Sequence, residues 1–440
     1  MLRTMMFMFC VLGLTEYAGA EVQDDNEIRL LDWIDEHSQE AISLIEKSVN
    51  INSGTMNSIG VKKVGDVYQS ELKALGFETK WLDMPESMQR AGHLVALKES
   101  GTAAKILLIG HLDTVFESDE KFHAFRRQGD VGYGPGVSDM KAGNAVIIFA
   151  LRALREVGLL QNIPVAVIYT GDEENAGSPL AISKYELIEL AKWADVALGF
   201  ESGVNYDGSD WATISRRSSS NWYLEVQGKQ AHSSKIFNSS VGAGAIFEAS
   251  RILHEFNTLV RGEEYLTFNA GTIQGGTDVE YAFEENRGVT FGKTNVVPRK
   301  VIVHGDLRGL SPEQIARAEE KMTDIVSNSS PQTDAQIVFD HRYPPMAPTD
   351  GNRRLQTLIS KVNDDMGRGP MPILDPSRRG AADISFAAPF ADSLAGLGAL
   401  GEDEHTPNES LDLASVPIAI KRTALLLHRL SLTSPAETGQ

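Results

Sequence analysis

Cysteine and positive charge are both scarce in this sequence of 440 residues. The single cysteine, Cys10, lies near the N-terminus, so the rest of the chain has neither disulfides nor thiolate metal ligands. Any metal would have to be held by His, Asp and Glu. Lys and Arg number 41 against 60 Asp and Glu, which gives a formal net charge of -19 at pH 7. A charge of that sign disfavours nucleic acid and anionic membranes as partners.

Long apolar runs are also missing, apart from one stretch at residues 5–14. This stretch is about half the length needed to span a bilayer. It follows Arg3 and precedes the small residues Ala18-Gly19-Ala20, which is the pattern of a secretory signal peptide. We therefore expect residues 1–20 to be removed, leaving an exported protein, periplasmic or extracellular, with no membrane association.

The length of the chain exceeds what one hydrophobic core usually supports, so two domains are expected. Short apolar runs at residues 105–109, 165–169 and 196–200 read as buried strands, and helical patterns alternate with them. Such alternation predicts an α/β catalytic domain whose mainly parallel sheet is covered by helices on both faces.

The pattern changes in the middle of the chain, where residues 222–226 alternate as a half-exposed antiparallel strand does. The following elements read β-α-β-β-α-β, the split βαβ order of a ferredoxin-like α+β domain. We therefore expect an inserted domain at residues 205–331. The catalytic domain would be discontinuous, formed by residues 21–204 and 332–430, with a frayed tail at 431–440.

Side chains able to bind metals or transfer protons fall at strand-to-loop junctions of the predicted sheet. In chain order these are His111 and Asp113, Asp139, Glu173 and Glu174, Glu201, and His405. The carboxyl ends of parallel strands share one edge of a sheet, so these side chains should meet there. Two imidazoles and several carboxylates suffice to hold two divalent cations and a reactive water, which is the chemistry of a metal-dependent hydrolase.

Each segment also has a purely structural interpretation. Residues two apart on extended backbone point the same way, so Asp113 can orient the ring of His111, although both also fit a polar surface loop. Asp139 suits a helix cap, yet one carboxylate can also bridge two cations about 3.5–4 Å apart. Glu173 and Glu174 diverge, which allows one to face a metal and the other a water; the alternative is a solvated acidic turn.

The segments in which these residues lie resemble those of a known family. They are 110–115, 134–143, 171–174, 200–203 and 404–406, with further likeness at 228–233 and 295–298 and at Asp306 and Arg308. Together they resemble the M20 family of dinuclear zinc metallopeptidases, in the family's order and over nearly all of the mature chain. The glutamate carboxypeptidase branch is the most similar.

The resemblance implies a ligand set for two zinc ions per subunit, with manganese or cobalt as alternatives. His111 and Glu201 would hold one ion, Glu174 and His405 the other, and Asp139 would bridge them. These oxygen and nitrogen donors suit zinc in the absence of thiolates.

The resemblance also implies roles beside the metals. Asp113 would orient His111. Glu173 would be the general base that takes a proton from the metal-bridging water and delivers it to the leaving amine. The peptide bond between Asp139 and Met140 would be cis.

The inserted domain, by the same likeness, would be a lid and the dimerisation surface of a homodimer. His232 would stabilise the tetrahedral oxyanion, often in the partner's active site, although a lone histidine is more often structural. Asn295, Arg308 and Arg342 are candidates for binding the substrate's carboxylate, since the fork of arginine binds both oxygens. Either arginine also fits an ordinary surface cation.

Two segments depart from the family pattern. Ser234 stands where many members have glycine, and the late glycine-rich loop reads Arg379-Gly380-Ala381-Ala382-Asp383, of which Asp383 matches. These changes leave the metal ligands untouched but alter backbone that faces the substrate. They make substrate choice the open question.

We therefore expect hydrolysis of an amide or peptide bond adjacent to a free carboxylate, with release of a C-terminal amino acid, glutamate being one candidate. Small peptides or N-acyl amino acids would be the substrates. An N-acyl amino acid amidohydrolase or a dipeptidase would use the same metal site. A non-catalytic peptide-binding relative is disfavoured, because Glu173 and every expected ligand are present.

Overall fold

The computed structural model describes residues 24–118, 124–283 and 285–433. The expected signal peptide at 1–20, with Cys10, lies outside the described residues. Residues 434–440 of the tail expected at 431–440 also lie outside them. Among the described residues, no helix combines the length and apolarity needed to cross a membrane.

The described residues form ten α-helices. The first begins at Asp24, whose side chain accepts hydrogen bonds from the backbone N–H groups of Asn26 and Glu27. The helices are α1 (Asp25–Val49), α2 (Ser58–Ala74), α3 (Gly143–Glu156), α4 (Leu180–Ser183), α5 (Tyr185–Trp193), α6 (Ala245–Glu255), α7 (Pro312–Ser327), α8 (Asp350–Asp365), α9 (Ile384–Ala387) and α10 (Ser415–Ser431).

The strands fall into one central sheet, one sheet in the inserted region and smaller ribbons. They are β1 (Glu78–Leu82), β2 (His93–Lys98), β3 (Ile106–His111), β4 (Arg126–Gln128), β5 (Val131–Tyr133), β6 (Val165–Thr170), β7 (Val196–Gly199), β8 (Val204–Tyr206), β9 (Ser209–Trp211), β10 (Ser219–Gly228), β11 (Thr267–Gly276), β12 (Asp278–Ala282), β13 (Arg287–Phe291), β14 (Lys300–Arg308), β15 (Thr333–Tyr343), β16 (Asp392–Leu394), β17 (Gly401–Glu402) and β18 (Ser410–Asp412).

The central sheet has six strands in the order β1-β2-β6-β3-β7-β16. Strands β6, β3, β7 and β16 run parallel, and β1 and β2 add an antiparallel edge. Alternate residues of β3 pack in opposite directions: Leu108 joins the core beneath α1, α3 and α10, whereas Leu107 joins the core beneath α5 and α9. The predicted α/β domain with a covered, mainly parallel sheet is confirmed.

The three central parallel strands end side by side, which places the residues after them at one edge of the sheet. His111 is the last residue of β3, and Glu173 and Glu174 follow β6. Glu201 follows β7 in the same way. Three of the predicted segments therefore converge as the sheet topology requires.

The inserted region forms a four-stranded antiparallel sheet in the order β11-β14-β10-β15, with α6 and α7 packed on one face. The buried face of β10 includes Trp222, Leu224 and Val226, each fully buried. This is the predicted split βαβ arrangement, with one addition. A hairpin, β12–β13, is inserted between β11 and β14.

The limits of this sheet differ from the expected limits of the inserted domain, 205 and 331. The sheet begins at Ser219 and ends at Tyr343, because β15 pairs with β10 along nearly its whole length. Ahead of it, Ala212 and Ile214 belong to the core of the catalytic domain. Half-buried alternation in β15 was too weak a signal in the sequence to reveal a strand.

A candidate metal centre at the edge of the central sheet

His111, Asp139 and Glu174 form a compact group of metal-binding side chains. One ligand atom from each lies within 4.8 Å of the others. His111 Nε2 is 3.1 Å from Asp139 Oδ1. Each residue comes from a different segment, so the group exists only because the sheet edge brings these segments together.

His405 approaches the same group from a loop near the C-terminus. Its Nε2 atom is 3.1 Å from Asp139 Oδ2 and 3.3 Å from Glu174 Oε2. The two carboxylate oxygens of Asp139 therefore face two different imidazoles. This is the arrangement that a bridging carboxylate between two cations requires.

Asp139 lies in a kinked turn, Val137–Ala142, in which the backbone of Asp139 and Met140 is not helical. Helix α3 begins only at Gly143, and Asp139 makes no cap to it. Gly136, with φ of 68°, opens this turn, and a side chain there would meet the Thr114 methyl group at 2.3 Å. The Asp139–Met140 peptide bond is cis, as the resemblance implied.

The donor set fits divalent cations. Among the described residues, the buried Glu174 Oε1 has no hydrogen-bond partner, so its lone pairs are available to a cation. Burial raises the pKa of Glu174 to about 7. Hydrogen bonds that His405 donates to the carboxylates of Asp139 and Glu174 raise its pKa to about 11. Carboxylates and imidazoles without thiolate are donors that zinc, manganese and cobalt accept.

Glu201 lies near this group but is engaged by an arginine. Its carboxylate accepts a hydrogen bond from Arg216, which is only 2% exposed and also donates to the carbonyl of Gly380 at 3.2 Å. Sequence reasoning missed Arg216. Its neighbour Arg217 is an identical residue that remains partly exposed, and only the fold distinguishes the two.

Asp113 contacts both the ring of His111 and the backbone of the acidic pair, Glu173 and Glu174. Its Oδ1 is 3.5 Å from His111 Nδ1, while the Asp113 main-chain carbonyl is closer to that nitrogen, at 3.0 Å. Both side-chain oxygens accept backbone N–H groups, from Glu173 at 3.0 Å and from Glu174 at 3.1 Å. Thr55 donates to the same carboxylate at 2.7 Å. Asp113 therefore positions the acidic pair as well as the histidine.

The carboxyl group of Glu173 has a shifted pKa. Burial raises its pKa well above the usual value; the positive charge of His111 opposes this rise, and the neighbouring carboxylates add to it. The hydroxyl of Tyr343, at the end of β15, donates to the Glu173 carbonyl at 2.8 Å. The inserted domain's last strand thus contacts the segment that carries the base.

A buried ion cluster lies beneath the Glu173 segment. Lys184 Nζ is 3.0 Å from Asp172 Oδ1 and 3.0 Å from Asp383 Oδ1, and the Lys184 and Asp172 side chains are fully buried. The attraction of both carboxylates outweighs desolvation: the Lys184 pKa is raised well above its usual value although burial lowers it. The sequence offered no signal for Lys184, because it lies on a short loop between α4 and α5.

Glu409 is another residue of the site that the sequence did not reveal. Its buried carboxylate accepts the backbone N–H groups of Gly136, Ser138 and Asp139 at 2.9–3.0 Å, and the hydroxyl of Ser138 at 3.1 Å. Glu409 lies four residues after His405, so its hydrogen bonds connect the His405 segment to the Asp139 turn. Its position after His405 in a polar loop gave no indication of this burial.

The inserted domain presents His232 on its surface, away from the metal-binding group. His232 Nδ1 accepts the backbone N–H of Ser234 at 3.2 Å and lies 2.9 Å from the Ser234 hydroxyl. Asn295 is exposed beside it, and its main-chain carbonyl accepts a hydrogen bond from the Ser233 N–H. Within the described part of the chain, no hydrogen bond or ion pair joins either residue to the metal-binding group.

Arg308 and Arg342 have other partners in this structure. Arg308 Nε pairs with Asp306 Oδ2 at 3.0 Å on the same strand, and its side chain is 35% exposed. Arg342 lines a different cavity, of about 570 Å³, with Ile315 and Phe386 between the two domains. Within the described residues, no hydrogen bond or ion pair joins either arginine to the metal-binding group.

Comparison with known proteins identifies the family of the chain. Residues 107–429 match peptidase family M20/M25/M40. The chain is 24% identical to carboxypeptidase G2 of Pseudomonas sp. (strain RS-16) over 424 residues, which cover 95% of each chain. It is 26% identical to succinyl-diaminopimelate desuccinylase of Gluconobacter oxydans, over 78% of this chain and 86% of that protein.

Solved structures share the fold. Aminopeptidase PepT of Bacillus cereus superposes with a TM-score of 0.69 at 18% identity, over 89% of this chain and 98% of that one. The YXEP protein of Bacillus subtilis is described as a dinuclear metal-binding peptidase of the M20 family. It superposes with a TM-score of 0.63 at 14% identity, over 91% of this chain and 99% of that one.

Proposed function

The chain belongs to peptidase family M20/M25/M40, a hydrolase family, and we propose that it cleaves an amide bond adjacent to a free carboxylate, releasing a C-terminal amino acid. One observation carries this proposal. The carboxylate of Asp139 lies between the imidazoles of His111 and His405, and Asp113, beside His111, holds the backbone of Glu173 next to them.

We propose that the centre holds two zinc ions. His111 and Glu201 would bind one and Glu174 and His405 the other, with Asp139 shared between them. The description of the Bacillus subtilis structure as dinuclear supports the count of two, and the donor chemistry supports zinc. Bound cations lower the pKa of a coordinated water and polarise a scissile carbonyl.

Glu173 supplies the proton transfers of the proposed reaction. A base must remain free of the metals, and the backbone N–H bond to Asp113 turns the Glu173 segment without using its carboxylate. The carboxylate accepts a proton from the attacking water and returns it to the leaving amine. Its raised pKa brings it nearer to the working pH, at which both transfers are favourable.

His232 is the candidate donor to the oxyanion. Because Nδ1 accepts the Ser234 N–H, a neutral ring carries its proton on Nε2, and that N–H is free to donate. The exposed position of His232 means that the donor reaches a substrate only if the inserted domain moves or a second copy of the chain presents it.

A homodimer through the inserted domain is part of the proposal. Strand β11 is a free edge of its sheet, and exposed apolar side chains lie on and beside it: Ile273 is 56% exposed, and Ile246 and Phe247 of α6 are 44% and 55% exposed. A free strand edge flanked by exposed apolar side chains is a typical self-association surface.

The identity of the released residue stays a proposal. Similarity to carboxypeptidase G2 makes glutamate the first amino acid to test. Asn295, Arg308 and Arg342 remain candidate substrate contacts for a closed conformation. Similarity to the desuccinylase favours the second candidate function, an N-acyl amino acid amidohydrolase, which uses the same centre.

The test is a hydrolysis panel combined with metal removal. Purified protein treated with a chelator should lose activity on N-acyl amino acids and dipeptides, and zinc should restore it where magnesium does not. Activity that survives complete metal removal would contradict the proposal. Export is tested separately, by sequencing the N-terminus of the mature protein, which should begin at Glu21.

A further inference from the structure

The chain passes between the two domains twice, and the two connections lie side by side. The outgoing connection, residues 212–218, precedes β10, and the returning connection, residues 344–349, follows β15. Arg216 and Met346 pair across them: the N–H group of each residue donates to the carbonyl of the other at 2.9 Å. We call these two segments the domain connections.

A buried asparagine fixes the domain connections to the catalytic domain. The side-chain amide of Asn352, in α8, donates to the carbonyls of Ile214 and Ala347, each at 3.0 Å. Its side-chain oxygen accepts the Ser393 N–H at 2.7 Å. Hydrogen bonds to the other connection and to α8 therefore set the backbone position of each connection.

Arg216 extends from the outgoing connection to the proposed metal ligand Glu201. Its Nη2 donates to Glu201 Oε2, and its Nη1 donates to the Gly380 carbonyl at 3.2 Å. The guanidinium thus takes one oxygen of the Glu201 carboxylate and leaves the other, Oε1, for a cation.

Glu201 and His111 line the same small cavity. Its volume is about 10 Å³, roughly the size of one water molecule, and Met140 and Arg216 also line it. His111 and Glu201 are the two side chains proposed to hold one of the zinc ions. Arg216 therefore borders the proposed position of that ion and contacts one of its ligands.

Tyr343 is the last residue of β15 and directly precedes the returning connection. Its hydroxyl donates to the Glu173 carbonyl at 2.8 Å, and its ring packs edge-on against Phe386, with the centroids 5.1 Å apart. Asp113 accepts the N–H of Glu173. Both main-chain polar groups of Glu173 are therefore held, one of them by a strand of the inserted domain.

We propose that Arg216 and Tyr343 are positioning residues through which the domain connections hold the reaction centre: Arg216 orients the ligand Glu201, and Tyr343 orients the base Glu173. The inference rests on the proposed function, which assigns Glu201 to a metal and Glu173 to proton transfer. Neither positioning residue touches the reacting atoms in this role.

The two contacts should affect different quantities. A partner that orients a metal ligand changes metal affinity, typically 10- to 100-fold. The planar fork of Arg216 bonds a carboxylate and a carbonyl together, and the point charge of a lysine cannot reproduce that geometry. The hydrogen bond from Tyr343 directs the base and removes nothing from a ligand, so its loss should lower kcat rather than metal affinity.

The first experiment measures zinc binding by the metal-free protein, in competition with a chromophoric chelator. The wild type should bind two ions. In Arg216→Ala one of the two affinities should fall roughly 10- to 100-fold with the other unchanged, because only Glu201 loses its orienting partner. Arg216→Lys should lose less. Arg217→Ala is the matched control: Arg217 donates to the Thr267 hydroxyl at 2.8 Å, and both affinities should equal those of the wild type.

The second experiment measures turnover of dipeptides and N-acyl amino acids by zinc-loaded Tyr343→Phe. The value of one hydrogen bond predicts that kcat falls roughly 2- to 10-fold, with KM and both zinc affinities unchanged. Tyr206→Phe removes a hydroxyl from a tyrosine of the catalytic domain that is 40% exposed, and it should leave kcat at the wild-type value.

Three results overturn the inference. The first is zinc affinity that stays the same or rises in folded Arg216→Ala and Arg216→Lys. The second is an unchanged kcat in Tyr343→Phe. The third is an equal loss of zinc affinity in Arg216→Ala and Tyr343→Phe, which would indicate general loosening of the catalytic domain.

The inference and the proposed function fail in distinguishable ways. If the wild type binds no zinc or hydrolyses none of these compounds, the proposed function is wrong. Amide hydrogen exchange of the metal-free proteins then tests the two contacts. Faster exchange than in the matched controls, at residues 199–203 in Arg216→Ala and at residues 171–175 in Tyr343→Phe, supports the positioning roles, and equal exchange refutes them.

Discussion

In the catalytic domain most of the charged side chains near the proposed reaction are buried and held, although His405 is 54% exposed, whereas in the inserted domain they lie on the surface. His111 and Asp113 are 2% and 1% exposed, and Lys184 is fully buried. Arg308, by contrast, is 35% exposed and pairs with a neighbour on its own strand. His232 is exposed and bonded only to Ser234.

This difference shows which region of the molecule is preorganised for the proposed reaction. Donors and acceptors fixed in a desolvated site need no rearrangement at the moment of reaction, and that condition holds at the edge of the central sheet. The inserted domain presents its groups in water. Its contribution must therefore depend on a change of position or on a second copy of the chain, and mutations in the two regions should have different signatures.

The largest effect should come from the base of the preorganised region. We expect Glu173→Gln to reduce kcat roughly 100- to 10,000-fold, because a glutamine cannot carry the proton between water and amine. Zinc content, measured by atomic spectroscopy, should stay at the wild-type value. Turnover within a factor of a few of wild type would remove Glu173 from its assigned role.

The buried ion cluster should show the next largest effect, on stability. Lys184→Met leaves Asp172 and Asp383 buried without their cation, which we expect to cost about 3–5 kcal/mol in free energy of unfolding. The matched control is Arg299→Met in the inserted domain, whose ion pair with Asp278 is more than half exposed and should contribute less than about 1 kcal/mol. Similar losses in the two variants, by denaturant titration, would erase the contrast.

His232→Ala tests the exposed region directly. If the ring donates to the oxyanion, kcat should fall roughly 100- to 1,000-fold while zinc content and Tm remain unchanged. Lys235→Ala, an exposed change in the same turn, should leave kcat near wild type. A His232 variant with full activity would mean that the inserted domain supplies no donor to the reaction.

Glu409→Gln should weaken metal binding rather than unfold the protein. The amide keeps the size of the side chain but offers one carbonyl oxygen to donors that now share two, so the Asp139 turn loosens. We expect zinc affinity to fall roughly 10- to 100-fold, as for other groups that orient ligands. Glu402→Gln, on the same segment but exposed, should bind zinc as the wild type does.

The smallest effect concerns pH. Burial tends to raise the pKa of Asp172, but Lys184 and its other partners lower it to about 2. A carboxyl with a lowered pKa stabilises the fold above about pH 4 and loses that contribution as pH falls through about 2, a change of about 2 kcal/mol. The stability difference between wild type and Asp172→Asn should therefore shrink from pH 5 to pH 2; a constant difference contradicts the ion pair.

Much of the fold was accessible from local sequence patterns. Apolar runs located β3, β6 and β7, and the residues immediately after them proved to share one edge of the sheet. Periodicity also located α6 and α7 of the inserted domain. The sequence did not predict strand β15, because its alternating residues are only half-buried and its partner, β10, lies more than a hundred residues away.

The residue types of the candidate centre were determined by the sequence alone: two imidazoles, a carboxylate placed to bridge and an adjacent acidic pair, all in segments that resemble one family. Tertiary structure decided the rest. Glu409 contacts Ser138 across 271 residues of chain. Arg216 and Arg379 differ from Arg217 and Arg378 only in burial and partners. Burial and long-range hydrogen bonds are properties of the packed chain, and no local pattern of residues encodes them.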